Sequence, residues 1–341
     1  MPFGRTSWGR RRVPRLPSEF ELIARYFAPL AAGQPGALGL KDDAALIEVR
    51  PGCQLVVTAD ALVAGVHFFA DDAPDLIARK MLRVNLSDLA AMGSTPVGYV
   101  MTLALPPAID EPWLAAFVAG LAADQAAFEI GLLGGDTSTT PGPLTLSLTA
   151  FGEVRRGREL RRSGARPGDL VLVSGTIGDG ALGLLVRHGG LAQLTAAHRA
   201  SLVDRYLLPQ PRVALGSALA EEGLAHAAID VSDGLVADLG HICAASGCTA
   251  AVDAADVPLS LAAAAALAAE PALRETILTG GDDYELLITA APEAGARMND
   301  IGSRLGVPLT RVGRIAHGAG VRVLDAAGRE LSFARTGYRH M

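Results

Sequence analysis

DLIARKMLRVNLSDLAAM at residues 75–92, followed by VGYVMTLALP at 97–106, decides how the chain reads. Apolar residues recur at helical spacing through the first stretch up to Gly93, and the second has the character of a strand. The helix carries an acid, Asp88, inside its apolar pattern. Toward the N-terminus, SEFELIARYFAPL (18–30) opens on Ser18 as an N-cap with acids in the first turn, so it predicts a helix. LGLKDDAALIEV (38–49) and CQLVVTADAL (53–62) read as strands interrupted by acids. Downstream, 111–130 is a further helix, and LTLSLTAFGEV (144–154) alternates with the period of a strand.

Arg155–Asp169 is rich in Arg and Gly and contains Pro167, which marks a linker. The pattern then restarts with LVLVS (170–174), a glycine-rich turn, two helices, the strand AAIDVS (227–232) and the helix LVADLGHICAAS (235–246). YELLITA (284–290), VPLTRVGRI (307–315) and VRVLD (321–325) are further strands, and Leu259–Ala269 is an Ala-rich helix. Strands and helices alternate in both halves, which predicts an α/β (α+β) fold. The expected organisation is a basic, disordered extension over 1–17, an N-terminal domain over 18–154 and a C-terminal α/β domain over 155–341.

The 341 residues suffice for two domains, and 50% hydrophobic against 19% charged residues supplies material for packed cores. A net charge of -6 gives no bulk attraction to nucleic acid or an anionic membrane. No apolar run reaches the roughly 18–20 residues that span a bilayer. The N-terminus, MPFGRTSWGRRRVPRLP, has no apolar segment of a secretory signal behind its arginines, so a cytoplasmic protein is expected. Three cysteines, Cys53, Cys243 and Cys248, form no disulfide framework, and Cys243 and Cys248 read as buried thiols rather than a shared metal site.

Acids follow or interrupt apolar runs at Asp42, Asp43, Asp60, Asp88, Asp136, Asp230, Asp233, Asp282 and Asp283. Several touch glycine, in GGDTS (134–138), IDVSDGL (229–235) and GGDDYEL (280–286). Any one of them could be an ordinary turn acid or a helix cap. As a set they point to a site, because strand ends and tight turns are where α/β proteins place functional groups. Among 30 basic residues only Lys41 and Lys80 are lysines, and no G-x-x-x-x-G-K-[ST] phosphate loop occurs. Converging carboxylates need cations to offset their repulsion, and magnesium is the hard ion that works with nucleotide phosphates. The pattern therefore points to phosphoryl transfer without a P-loop.

GDGALG (178–183) matches G-x-G-x-x-G after a strand, with Asp204 further on, but the second strand of a dinucleotide-binding unit is missing. A glycine-rich turn beside a phosphate, or a tight helix entry, is the stronger reading. Neither G-x-S-x-G nor H-E-x-x-H is present. His67, within LVAGVHFF (62–69), is equally consistent with a core histidine and a substrate contact.

KDDAAL, TADALVAGVHF, RKMLRVNLSDLAAMGSTP, GGDTS, LRRSGARPGD, VSGTIGD, LLPQPR, AIDVSDGL, GGDDYEL and a closing GY at 337–338 occur in this order over about 18–340. Together they resemble the thiamine-monophosphate kinases, of the superfamily that includes aminoimidazole ribonucleotide synthetase and selenophosphate synthetase. The resemblance implies two α/β domains, an N-terminal domain that binds ATP and magnesium and pairs in a homodimer, and an ATP cleft between that domain and neighbouring elements. It implies magnesium ligands at Asp43, Thr58, Asp60, Asp88, Asp136 and Asp230, a further ion at Asp233, and catalytic roles for Asp88, Asp136 and Asp230. Gly135, Asp136, Arg162 and Ser232 would contact ATP. His67, Asp282 and Tyr338 would line the pocket for thiamine monophosphate. The implied reaction makes thiamine diphosphate by direct γ-phosphoryl transfer from ATP, the last step in forming that cofactor. The alternatives are another ATP-dependent synthetase of the superfamily, of purine-intermediate or selenophosphate type, and a non-catalytic nucleotide-binding scaffold. Lys41, Ala59 and Asp282 depart from the family pattern, where glycine, a hydroxyl residue and glutamate are usual.

Overall fold

The computed structural model describes residues 17–338, so the basic extension expected over 1–17 lies, apart from Pro17, outside the described residues. In the first half, β1 (Cys53–Val63), β2 (Thr95–Leu105), β3 (Leu132–Thr139) and β4 (Thr145–Arg155) form a sheet ordered β1-β4-β2-β3. It is antiparallel except for the β2–β3 pair. The alternation seen in the sequence puts Leu146, Leu148 and Ala150 of β4 on its buried face. At the N-terminus, α1 (Glu19–Leu22) runs through a π-helical turn, Ile23–Phe27, into α2 (Ala28–Ala31).

Two long helices follow, α3 (Pro74–Ala91) and α4 (Glu111–Phe128). Pro74 starts α3, where its missing N–H costs nothing. Asp110 caps α4 by accepting the Trp113 N–H at 2.9 Å. Thirteen of the 18 residues of α3 are buried, including Lys80, Arg83, Asn85 and Ser87, so the helix is covered on nearly all sides. Gly93 ends it at φ 69°, and a Cβ there would lie 2.4 Å from Ala220 Cβ, so only glycine lets the second half pack so close.

The second half contains β5 (Leu170–Ser174), α5 (Asp179–Arg187), α6 (Ala196–Leu207), α7 (Val213–Glu222), β6 (Ala227–Asp230) and α8 (Leu235–Ser246). These are followed by β7 (Thr249–Asp253), α9 (Leu261–Ala269), α10 (Leu273–Thr279), β8 (Leu286–Ala290), α11 (Gly295–Arg304), β9 (Leu309–Ala316) and β10 (Gly320–Leu324). The sheet order is β10-β7-β9-β5-β8-β6, with only β10–β7 parallel. One apolar core lies within this half. A second joins α3, α4 and the first sheet to Leu215 and Leu219 of α7, Ala228 of β6 and Ile288 of β8. The shared element between the halves is α3.

Four expectations differ from the structure. Residues 38–49 form no strand: Leu38 and Leu40 take left-handed φ of 52° and 56° in a 3-10 turn, Pro35–Leu40, and the following residues pair with no strand. Three helices, α5, α6 and α7, rather than two separate β5 from β6, and β7 is an additional strand. YELLITA becomes extended only at Leu286, because Asp282 and Tyr284 are left-handed at φ 72° and 53°. Cys243 and Cys248 are buried free thiols and Cys53 is half-buried. Among the described residues no helix is long and apolar enough to cross a membrane.

Candidate functional site

The junction between the halves brings a buried carboxylate, Asp230, together with a half-buried one, Asp88. Ser87 on α3 donates to Asp230 Oδ2 at the end of β6, at 2.7 Å. Its neighbour Asp88 accepts from the Thr58 hydroxyl of β1. Burial pushes Asp230 up to about 8, and the charge of Asp88 adds to the shift. Burial also raises Asp88, against the Thr58 hydrogen bond and the nearby Arg162 guanidinium. Tyr284, partly buried, has its hydroxyl raised by burial and then by Asp282, Asp230, Asp60 and Asp88, so these four acids share one electrostatic neighbourhood. Two facing carboxylates flanked by hydroxyls form an all-oxygen donor set with excess negative charge, which fits a hard divalent cation such as magnesium.

A turn beside this centre is held by one side chain. Asp238 Oδ2 accepts the N–H groups of Ser232, Asp233 and Gly234 at 3.1, 3.1 and 3.0 Å. Burial pushes Asp238 up to about 7 against those bonds. Asp233, Asp238 and His241 bring their ligand atoms within 4.8 Å of one another, the one such group of three acidic, His or Cys side chains among the described residues. The Asp282 N–H donates to the Ser232 carbonyl and the Tyr338 N–H to the Asp233 carbonyl, each at 3.0 Å. Asp282 and Tyr338 thus meet the Ser232–Asp233 turn through their backbones.

His67 accepts the Val63 N–H at Nδ1, 3.0 Å, which leaves the proton of the neutral ring on Nε2. Its carbonyl accepts from the Tyr206 hydroxyl at 3.4 Å. The Tyr206 ring lies 3.6 Å under Lys80 Nζ, which is 3.3 Å from Asp282 Oδ1. Lys80, Ser87, Tyr206, Asp238, His241 and Tyr284 are members of this neighbourhood that sequence reasoning did not select. Only the scarcity of lysine singled out Lys80, Ser87 sits inside an apolar pattern, and Tyr284 stands between the acids of GGDDYEL.

Asp43 and Asp136 lie elsewhere. They line a cavity of about 590 Å³ with Phe27, Leu40, Met101 and Gly135. Across the sheet Asp60 pairs with Leu148, Leu148 with Met101 and Met101 with Gly135. Three strand spacings place Asp60 and Gly135 roughly 14 Å apart. The expected ligands therefore fall into two groups within one chain, one at the α3–β6 junction and one at the β3 cavity. At Gly135 a Cβ would lie 2.0 Å from the Met101 carbonyl oxygen, so the strand pair admits no side chain there. Apolar walls with acids at the rim suit a flat apolar group carrying phosphates.

The glycine turn at 178–183 is already filled. Asp283 accepts the Gly178 N–H at 2.6 Å and the Gly180 N–H at 3.0 Å. Its carboxylate occupies the donors that a dinucleotide phosphate would need, which removes the nicotinamide reading. Burial pushes Asp283 up to about 8 despite the two bonds.

Residues 41–154 match the profile of the N-terminal domain of AIR synthase related protein, and residues 166–326 that of its C-terminal domain. The thiamine-monophosphate kinase of Caulobacter vibrioides is 45% identical over 327 residues, covering 95% of this chain and 91% of that protein. The crystal structure of thiamine-monophosphate kinase from Stenotrophomonas maltophilia K279a superposes with a TM-score of 0.81 at 47% identity, over 90% of this chain and 96% of that one. The structure of AaThiL complexed with AMPPCP and TMP superposes with a TM-score of 0.75 at 30% identity, over 88% and 91%.

Proposed function

Because this chain belongs to the thiamine-monophosphate kinases, within the AIR synthase related proteins, we propose that it transfers the γ-phosphoryl group of ATP to thiamine monophosphate. The products are thiamine diphosphate and ADP. The observation that carries the reading within this chain is the Asp88–Asp230 pair, joined across the domain junction by Ser87 and Thr58. An oxygen of the acceptor phosphate is the nucleophile and is ionised near neutral pH, so no strong general base is required. Positioning and charge neutralisation do the work.

Thr58, Asp60, Asp88 and Asp230 would hold magnesium at the junction, Asp43 and Asp136 at the β3 cavity, and Asp233 a further ion. Bound there, magnesium supplies positive charge that offsets the crowded phosphates of donor and acceptor. The β3 cavity with Gly135 takes the nucleotide, and Ser232 and Arg162 contact its phosphates, Arg162 with a planar donor pair beside Asp88. His67, Asp282 and Tyr338 face the acceptor. A homodimer is supported by β1, an edge strand whose Leu55 and Val57 are exposed apolar residues. ATP as donor fits a cytoplasmic location.

The test is ADP release and thiamine diphosphate formation by purified protein with ATP and magnesium, with and without thiamine monophosphate. Acceptor-dependent turnover abolished by a chelator is expected. ATP binding without acceptor-dependent turnover would move the function to a synthetase of the same superfamily or to a scaffold.

A further inference from the structure

Lys80 is one of two lysines in the chain, and its side chain is only 3% exposed. A cation buried so deeply is costly unless something compensates it. Its Nζ has no hydrogen-bond partner among the described residues. Asp282 Oδ1 stands 3.3 Å away, an ion pair by distance but off the line of a hydrogen bond. The remaining contact is the Tyr206 ring, whose centroid is 3.6 Å from Nζ. That ring is braced edge-on by Phe69 at 6.3 Å, and Phe69 in turn lies 4.5 Å under the Arg187 guanidinium. A rigid aromatic wall thus fixes where the ammonium sits.

The partner is held with equal care. Asp282 has a left-handed φ of 72°, a conformation a non-glycine residue keeps only when its surroundings impose it. Its N–H is tied to the Ser232 carbonyl. A Cβ at Gly180 would lie 2.3 Å from the Asp282 carbonyl oxygen, and one at Gly281 would lie 2.1 Å from the Ser232 carbonyl oxygen. Two glycines therefore clear the space that lets the Asp282 backbone take this shape. The carboxylate remains 28% exposed, so it faces both the buried ammonium and the open junction.

Position along α3 tells which end of a substrate this pair meets. Lys80 and Ser87 are seven residues apart, on one face of the helix and about 10 Å apart along it. Ser87 holds Asp230 at the end where phosphates are transferred. The span from there to Lys80 is comparable with that of extended thiamine monophosphate from its phosphate to its aminopyrimidine. We propose that Lys80 is a positioning residue for the acceptor. Its ammonium, seated on the Tyr206 ring, aims the Asp282 carboxylate at the amine and cationic ring system of thiamine monophosphate. It governs affinity for the acceptor rather than phosphoryl transfer, and this rests on the function proposed above.

Steady-state kinetics of the full chain, varying each substrate with the other saturating, test the role with K80M, K80R, D282N and the K80M/D282N double variant. K80M should raise KM for thiamine monophosphate about tenfold, the effect of one lost charged contact. KM for ATP and kcat should stay within about twofold to threefold of wild type. D282N should behave alike, and the double variant should be no worse than the poorer single, because both changes break one unit. K80R should recover part of the affinity, since it keeps the charge while its wider head cannot occupy the same point. An unchanged acceptor KM in K80M, a parallel rise in KM for ATP, or additive losses in the double variant would overturn the role. If K80M does not fold, an unchanged acceptor KM in D282N does so. A wild type without acceptor-dependent turnover refutes the proposed function instead, whereas a normal wild type beside a normal K80M refutes only the role of Lys80.

Discussion

Burial disfavours the charge of both Asp88 and Asp230, and Asp88 makes Asp230 harder still to ionise. Residues arranged this way are retained at a cost to stability, which is the usual mark of function. Asp88→Asn should lower kcat/KM on the order of 10²-fold or more, the scale of losing one electrostatic group at a reacting phosphate. The melting temperature of the metal-free variant should hold or rise, because Asn removes one partner of the repulsion. Normal turnover in this variant would refute the metal-cluster reading. Asp283 makes a different prediction. Its pKa is raised in the fold to about 8 from an ordinary 3.8, so folding favours its protonated form. The stability it contributes is fully present below pH 3.8 and is lost as pH rises toward 8. In urea titrations the stability gap between wild type and Asp283→Asn should therefore narrow from pH 5 to pH 9. A widening gap would show that Asp283 is ionised in the fold throughout.

Elements differ in how openly the sequence declares them. The boundaries of α3, α4, β1 and β4 follow from 3.6- and 2-residue periods with Pro74, Asp110 and Gly93 as punctuation. Residues 38–49 read as a strand yet pair with no strand, and that stretch instead lines the β3 cavity with Asp42 and Asp43. Two helices rather than three are legible between β5 and β6, and VALGSALAEE of α7 contains Gly216, which lowers its helical signal. The structure gives that glycine a purpose, since a Cβ there would lie 2.1 Å from the Ala90 carbonyl oxygen of α3. β3 offers an internal control of the same kind. Gly135→Ala would drive a methyl into the Met101 carbonyl, whereas at Gly134 the nearest atom, Val100 Cγ1, is 3.9 Å away. Gly135→Ala should cost about 1–3 kcal/mol in denaturant unfolding and weaken ATP binding, as overpacking does. Gly134→Ala should be nearly neutral on both measures. Equal effects of the two would mean that β3 is free to move from β2.

Across the whole molecule, single acids were legible but their grouping was not, since grouping depends on which elements touch. GGDTS and AIDVSDGL read alike as acids at strand ends, yet β3 carries Asp136 to the cavity and β6 carries Asp230 to α3. The apolar core that links α3 to α7, β6 and β8 ties the halves into one packed body around the Asp88–Asp230 pair. A ligand that engages both groups of acids must then stabilise both halves together, because no element at the junction can loosen alone. A non-hydrolysable ATP analogue with magnesium, at about a hundred times its Kd, adds about 2.7 kcal/mol to the folded state. In a chain of this size that should move a single melting transition up by roughly 4 °C. A chelator should abolish the shift, and Ser87→Ala, which unties Asp230 from α3, should reduce it. Two separate transitions, with only the earlier or the later one moving, would show that the ligand is held by one half and that the junction is not part of its site.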